Sequence, residues 1–138
     1  MIVEAFLDTN VVVYAAAGRD DPEKRQRAVA LIEAANFATS GQVLAEFFSV
    51  TTRKLAVPLP VADAAKWVEL LSEFPVVAVD AELVKIGIAT SHRYNISYWD
   101  GAIVAAAARL SAPVLYTEDL KHDQLYGSVR VVNPFRAH

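Results

Sequence analysis

Short apolar runs alternate with longer segments of helical periodicity along the whole chain, and this alternation most limits what it can fold into. Ile2–Leu7, Phe37–Thr39, Val76–Val79, Pro113–Tyr116 and Val129–Val132 are the strand candidates. Glu23–Ala35, Gln42–Leu55, Val61–Leu71, Ala81–Arg93 and Trp99–Leu110 carry apolar residues at helical spacing. Their predicted inward faces are Ala28, Leu31, Ile32 and Ala35; Val43, Leu44, Phe47, Phe48 and Thr51; Trp67, Leu70 and Leu71; then Leu83, Ile86, Gly87 and Thr90. Strands separated by helices predict an α/β sandwich around a parallel sheet. There are no repeats, low-complexity tracts or linkers, so 1–138 reads as a single domain.

Composition narrows the function classes. The chain is 54% hydrophobic and 21% charged, which excludes disorder and allows a sizeable core. Its apolar runs, Ala102–Ala108 among them, fall well short of the roughly 20 residues that span a bilayer. Glu4 and Asp8 interrupt the N-terminal apolar stretch, against a signal peptide. No membrane role and a cytoplasmic location are therefore expected. The absence of cysteine removes disulfides, zinc–thiolate sites and cysteine nucleophiles. A net charge of −3 predicts no broad electrostatic capture of nucleic acid, so such binding needs local basic patches or a metal.

The carboxylates are the chemistry-bearing group. In open parallel sheets, ligands bind beyond the carboxyl ends of the strands. Returning helices start at that same edge. Asp8 ends the first strand, Glu46 lies early in the helix after the second, Asp100 opens the helix before the fourth, and Asp119 lies just beyond the fourth. All four are expected at one edge. Each has a plainer role available: Asp8 and Asp100 as helix caps, Asp119 as turn chemistry, Glu46 as surface. Together they would repel one another and raise one another's pKa values. A divalent cation relieves that, and an all-oxygen set favours Mg²⁺ or Mn²⁺ over zinc. Asp80 also follows a strand and joins the group only if the third strand lies near the first.

Four blocks in order, Phe6-Leu7-Asp8-Thr9-Asn10-Val11, Gln42-Val43-Leu44-Ala45-Glu46-Phe47, Tyr98-Trp99-Asp100-Gly101-Ala102-Ile103 and Leu115-Tyr116-Thr117-Glu118-Asp119-Leu120, resemble PIN-domain proteins. The likeness is to the VapC-type toxins of toxin–antitoxin pairs. It implies a three-layer α/β/α sandwich with strand order 3-2-1-4-5, which would put Asp80 at the far edge as a cap. It further implies a Mg²⁺- or Mn²⁺-dependent endoribonuclease leaving a 5′-phosphate, usually a homodimer and silenced by a small antitoxin. By motif match the acidic set is Asp8, Glu46, Asp100 and Asp119. Asp8 and Asp100 are the first choices as direct ligands, Glu46 and Asp119 as further ligands or groups that orient water. Thr117 matches the hydroxyl residue that steadies the first Asp, and Asn10 is a second supporting position. The mean hydropathy of +0.28 suits a chain that hides surface in a partner.

Local cations could hold RNA around such a site: Arg19, Lys24, Arg25 and Arg53 first, with Arg93 and Lys121 behind them. His92 and His122 lack a serine in a nucleophile-elbow setting, which argues against a hydrolase triad. An aspartyl-nucleophile phosphatase would need Asp where Asn10 stands. The alternative from another class is a catalytically silent PIN-like module that binds RNA or protein.

Overall fold

The computed structural model describes residues 2–34 and 36–136. Its elements are β1 (Ala5–Leu7), α1 (Thr9–Ala17), α2 (Pro22–Ala34), β2 (Phe37–Ser40), α3 (Gly41–Ser49), α4 (Val61–Leu71), β3 (Val76–Val77), α5 (Ala81–Tyr94), α6 (Tyr98–Arg109), β4 (Val114–Tyr116), β5 (Leu125–Tyr126) and β6 (Val129–Val132). The strands form one sheet in the order β3-β2-β1-β4-β6-β5, parallel except for the β5–β6 pair.

Right-handed crossovers set the layers. The chain steps outward from β1 through β2 to β3 by way of α1–α4, then returns across the sheet to β4 by way of α5 and α6. The two helical groups therefore cover opposite faces, giving the expected α/β/α sandwich. Burial on both faces explains why Ala5, Phe6 and Leu7 are all buried rather than alternating. Phe6, Phe37, Phe47 and Leu115 are the large side chains of the core, with Phe37 stacked on Phe74 at 4.2 Å between centroids.

The strand order differs from the expected 3-2-1-4-5 by one element. Val129–Val132 does lie beside β4, as the resemblance requires, but an unpredicted two-residue strand, β5, pairs antiparallel on its outer edge. A two-residue Gly127–Ser128 turn makes this hairpin, with Gly127 at φ 63°, the left-handed region that tight hairpins need. Two strands are also shorter than expected. Ile2–Leu7 is extended in pairing only over Ala5–Leu7, and Val76–Val79 only over Val76–Val77, because β3 is an edge strand with one partner.

The expected Gln42–Leu55 helix changes character near its end. After α3 the chain makes a π-helical turn over Val50–Lys54. Thr51 Oγ1 donates to the Phe47 carbonyl at 2.7 Å and Thr52 Oγ1 to the Phe48 carbonyl at 2.6 Å, side-chain competition that loosens the backbone ladder. Three predicted inward residues face outward: Phe48, Leu70 and Ile86 are exposed. Ile86 lies off the contact because α5 meets α6 through Gly87, where a β-carbon would sit 3.1 Å from Ala102 Cα. Ala35 lies outside the described residues. Among the described residues no helix is long and apolar enough to cross a membrane.

Candidate active site at the carboxyl edge of the sheet

β1 ends at Asp8, whose extended backbone (φ −79°, ψ 166°) makes it the N-cap of α1. Its carboxylate accepts from the Thr9 amide at 2.7 Å. One residue is thus both a cap and a candidate site carboxylate. β4 is the parallel neighbour of β1, with Leu7 opposite Tyr116, so Thr117 leaves the sheet beside Asp8. Thr117 Oγ1 donates to Asp8 Oδ2 at 2.8 Å. The same oxygen accepts from Asn10 Nδ2 at 3.2 Å and from the Asp119 amide at 3.1 Å. Asn10 Nδ2 also donates to Asp119 Oδ2 at 3.0 Å. One buried hydroxyl thus ties the first acid, the fourth acid and Asn10 together.

Ser40 caps α3, placing Glu46 on its second turn. Glu46 accepts from Thr9 Oγ1 at 2.9 Å and from Gln42 Nε2 at 3.0 Å. α6 starts at a Ser-x-x-Asp signature: Ser97 is the cap and accepts from the Asp100 amide at 3.1 Å. Asp100 is therefore not itself the cap. It stands in the first turn of α6, half-buried.

The four acids share one electrostatic field. Burial pushes Asp8 up to about 6, against hydrogen bonds from Thr9 and Thr117, and the charges of Asp119 and Glu46 push it further the same way. Asp100 is also raised, by burial first and then by the same Asp119 and Glu46. Two acids from distant parts of the chain thus feel one pair of neighbours. Asn10 Oδ1 is buried with no hydrogen-bond partner among the described residues. An oxygen-rich, mutually repelling set with an unpartnered amide oxygen matches the chemistry of a hard divalent cation. Among the described residues, no three acidic or histidine side chains already stand at a spacing that could grip an ion together.

Asp80 stands apart from the four acids. Asp80 follows β3, at the far edge, where it caps α5 through the Leu83 amide at 2.8 Å and pairs with Arg109 at 3.2 Å. Among the basic candidates, Arg19, Arg25 and Arg53 are exposed. Lys24 is not a free charge. Its ammonium donates to Glu118 Oε2 at 2.9 Å and to Tyr14 Oη at 3.2 Å, while Tyr14 Oη donates to Glu118 Oε1 at 2.8 Å. These contacts hold the Lys24 pKa above its usual value. They also anchor Glu118 to α1 and α2, next to Asp119. The Thr9 contact to Glu46 has one signal in the sequence, the adjacency of Thr9 to Asp8. His122 Nδ1 accepts from the Asn133 amide at 3.0 Å, and its Nε2 lies 3.4 Å from Asp123 Oδ2.

Thr117→Val tests the hydroxyl hub. The isosteric methyl leaves the Asp8 carboxylate and the Asp119 amide without this partner, which should cost about 1–3 kcal/mol in denaturant unfolding. Thr117→Ser should restore most of it. Equal stability of Thr117→Val and wild type would show that the hub contributes nothing.

The sequence matches the PIN domain family over residues 5–128. No curated protein matches it. Among solved structures the chain is similar to a toxin–antitoxin complex from Klebsiella pneumoniae, at 21% identity over 94% of this chain and 97% of that one, with a TM-score of 0.69. It is also similar to Mycobacterium tuberculosis VapC20, a toxin that cleaves the sarcin–ricin loop: 20% identity, 83% and 89% coverage, TM-score 0.68. A third likeness is to VapBC2 from Rickettsia felis bound to a promoter DNA fragment: 20% identity, 86% and 89% coverage, TM-score 0.59. At these identities the likeness is one of fold. The family match covers nearly the whole sheet and all four acids, and the chain belongs to the PIN domain family.

Proposed function

We propose that the protein is a metal-dependent endoribonuclease, the cytoplasmic toxin of a toxin–antitoxin pair. The observation that carries this reading is the convergence of Asp8, Glu46, Asp100 and Asp119 at the carboxyl edge of the sheet, with Asp8 and Asp100 raised in part by the same Asp119 and Glu46. Asp8 and Asp100 would hold Mg²⁺ or Mn²⁺, with Glu46 and Asp119 completing the set or orienting water. The bound ion would supply a hydroxide-like nucleophile at neutral pH and relieve charge on the phosphate.

The chain's own residues do the positioning. Thr117 and the Thr9 amide hold the Asp8 carboxylate; Asn10 holds Asp119; Thr9 and Gln42 hold Glu46. The N-termini of α1 and α6 point their positive ends at the same edge, favouring the ionised acids. Exposed Arg19, Arg25 and Arg53 are available to the RNA backbone, whereas Lys24 is spent on Glu118. A small antitoxin protein is the proposed partner, in keeping with the toxin–antitoxin complexes among the similar folds, and a homodimer is the proposed assembly.

Two measurements test this. Synthetic RNA should be cut with Mg²⁺ and left intact with EDTA; RNA that is retained but never cut would support the silent binding module instead. Mn²⁺ at 100 times its Kd should stabilise the wild type by about 2.7 kcal/mol through mass action, read as a raised melting temperature. In Asp100→Asn the rise should shrink severalfold, and an equal rise would remove Asp100 from the ligand set.

A further inference from the structure

A groove of about 590 Å³ opens beside the acids, walled by Gln42, Ala45, Glu46, Val79, Tyr98 and Trp99 among others. Among the described residues Glu46 is its one charged lining residue, and it belongs equally to the acid cluster. Trp99 immediately precedes Asp100 and is 62% exposed, a large apolar surface to leave in water. Its ring meets Tyr98 edge to face, with centroids 5.1 Å apart and an interplanar angle of 73°. Gln42 Nε2 reaches both Glu46 Oε1 at 3.0 Å and the Trp99 carbonyl at 3.5 Å, so α3 and the start of α6 hold the two walls together.

We propose that this groove seats a nucleobase of the RNA strand, stacked against the indole of Trp99, next to the phosphate presented to Asp8 and Asp100. The inference rests on the ribonuclease reading above and names part of its substrate site. The chemistry of the walls selects the occupant. With Glu46 present and no cation among the described lining residues, a phosphate is repelled. A flat, uncharged ring with polar edges fits an aromatic wall flanked by the Gln42 amide and the Ser49 hydroxyl. Because Glu46 lies at the junction, whatever fills the groove lies against the acids, which suits a base attached to the reacting strand. Stacking on an aromatic side chain is sequence-tolerant, and a single stacked base contributes roughly a tenfold gain in affinity.

The chain has two tryptophans, so Trp67→Phe leaves Trp99 as the only indole reporter. Titrating that variant with a short single-stranded RNA in EDTA should quench its fluorescence. An oligonucleotide with abasic sites throughout should bind without quenching and about tenfold more weakly. In the wild-type background, Trp99→Ala should weaken RNA binding by about tenfold in fluorescence anisotropy, and Trp99→Phe should recover most of the loss. RNA that binds without quenching, or with unchanged affinity in Trp99→Ala, overturns the subsite even if Mg²⁺ supports cleavage. Quenching by RNA that Mg²⁺ never cleaves keeps the subsite and removes the nuclease reading. Loss of self-association in Trp99→Ala by sedimentation, with RNA affinity intact, gives the groove to a second copy of the chain and overturns the proposal.

Discussion

Asp8→Asn is expected to abolish RNA cleavage while making the metal-free protein more stable at neutral pH. On the proposed reading Asp8 is a metal ligand, and its loss would remove several kcal/mol of charge stabilisation, a fall of at least about 10³-fold in rate. The stability effect follows from the raised pKa of Asp8, about 6 in the folded chain against an ordinary 3.8. Between those values the native state keeps a proton that the unfolded chain releases. Stability contributed by the protonated acid is therefore complete below about pH 4 and lost as pH rises through 6. The shift corresponds to about 3 kcal/mol. Asn carries no such titration. At pH 7.5 the variant recovers that amount less the hydrogen bond that Thr117 donates to Asp8, so a net gain of about 2 kcal/mol is expected. Asp100, also raised, adds a slope of the same sign to both proteins. Urea unfolding in EDTA from pH 4 to pH 7.5 checks the difference. Parallel stability profiles for the two proteins would show that Asp8 is not held ionised at a cost.

Gly101→Ala should unfold the protein more readily and disarm it together. A β-carbon there would lie 2.7 Å from the Gly87 carbonyl oxygen, 2.8 Å from the Ser91 amide nitrogen and 2.9 Å from Ser91 Cβ. Two of these are backbone atoms of α5, so the helices must move apart. Overpacking of this kind costs about 1–3 kcal/mol or more, against a gain of at most about 1 kcal/mol in helix propensity. A net loss of about 2 kcal/mol is expected, or roughly 4–8 °C in melting temperature. Asp100 precedes Gly101 in the first turn of α6, so separation of the helices carries the acid with it. A displacement of about 1 Å at a reacting site can cost about 10²-fold. Cleavage should fall by that order even at temperatures where the variant is fully folded. A stable variant with full activity would show that α6 tolerates a wider crossing without moving Asp100.

The acidic set was legible because a parallel sheet turns chain order into position. Each strand that ends in an acid, and each helix that begins near one, delivers that acid to the same edge, whatever the intervening loops do. The plainer role offered for Asp100, a helix cap, belongs instead to Ser97, three residues earlier, whose hydroxyl accepts from the Asp100 amide. Exposure was harder to read. Phe48, Leu70 and Ile86 sit at helical positions facing inward by periodicity, yet each looks outward, because periodicity identifies a face without saying how wide the neighbouring element is. The hairpin at Leu125–Tyr126 was invisible for a related reason: two residues carry no period, and only the left-handed Gly127 marks the turn.

By itself, then, the sequence determined the alternation of strands and helices, the family, and the residues that meet at the carboxyl edge. These depend on local pattern and on rules of handedness that hold for L-amino acids generally. Local pattern left the role of Asp80 open and the family resemblance alone made it a cap; tertiary structure settled it, since strand order decides which acids are neighbours and no local signal encodes it. It also decided that Lys24 neutralises Glu118 instead of standing free, and that one Thr117 hydroxyl joins Asp8, Asn10 and Asp119. Hydrogen-bond partners far apart in the chain are set by where packing places them, and packing is a property of the assembled layers.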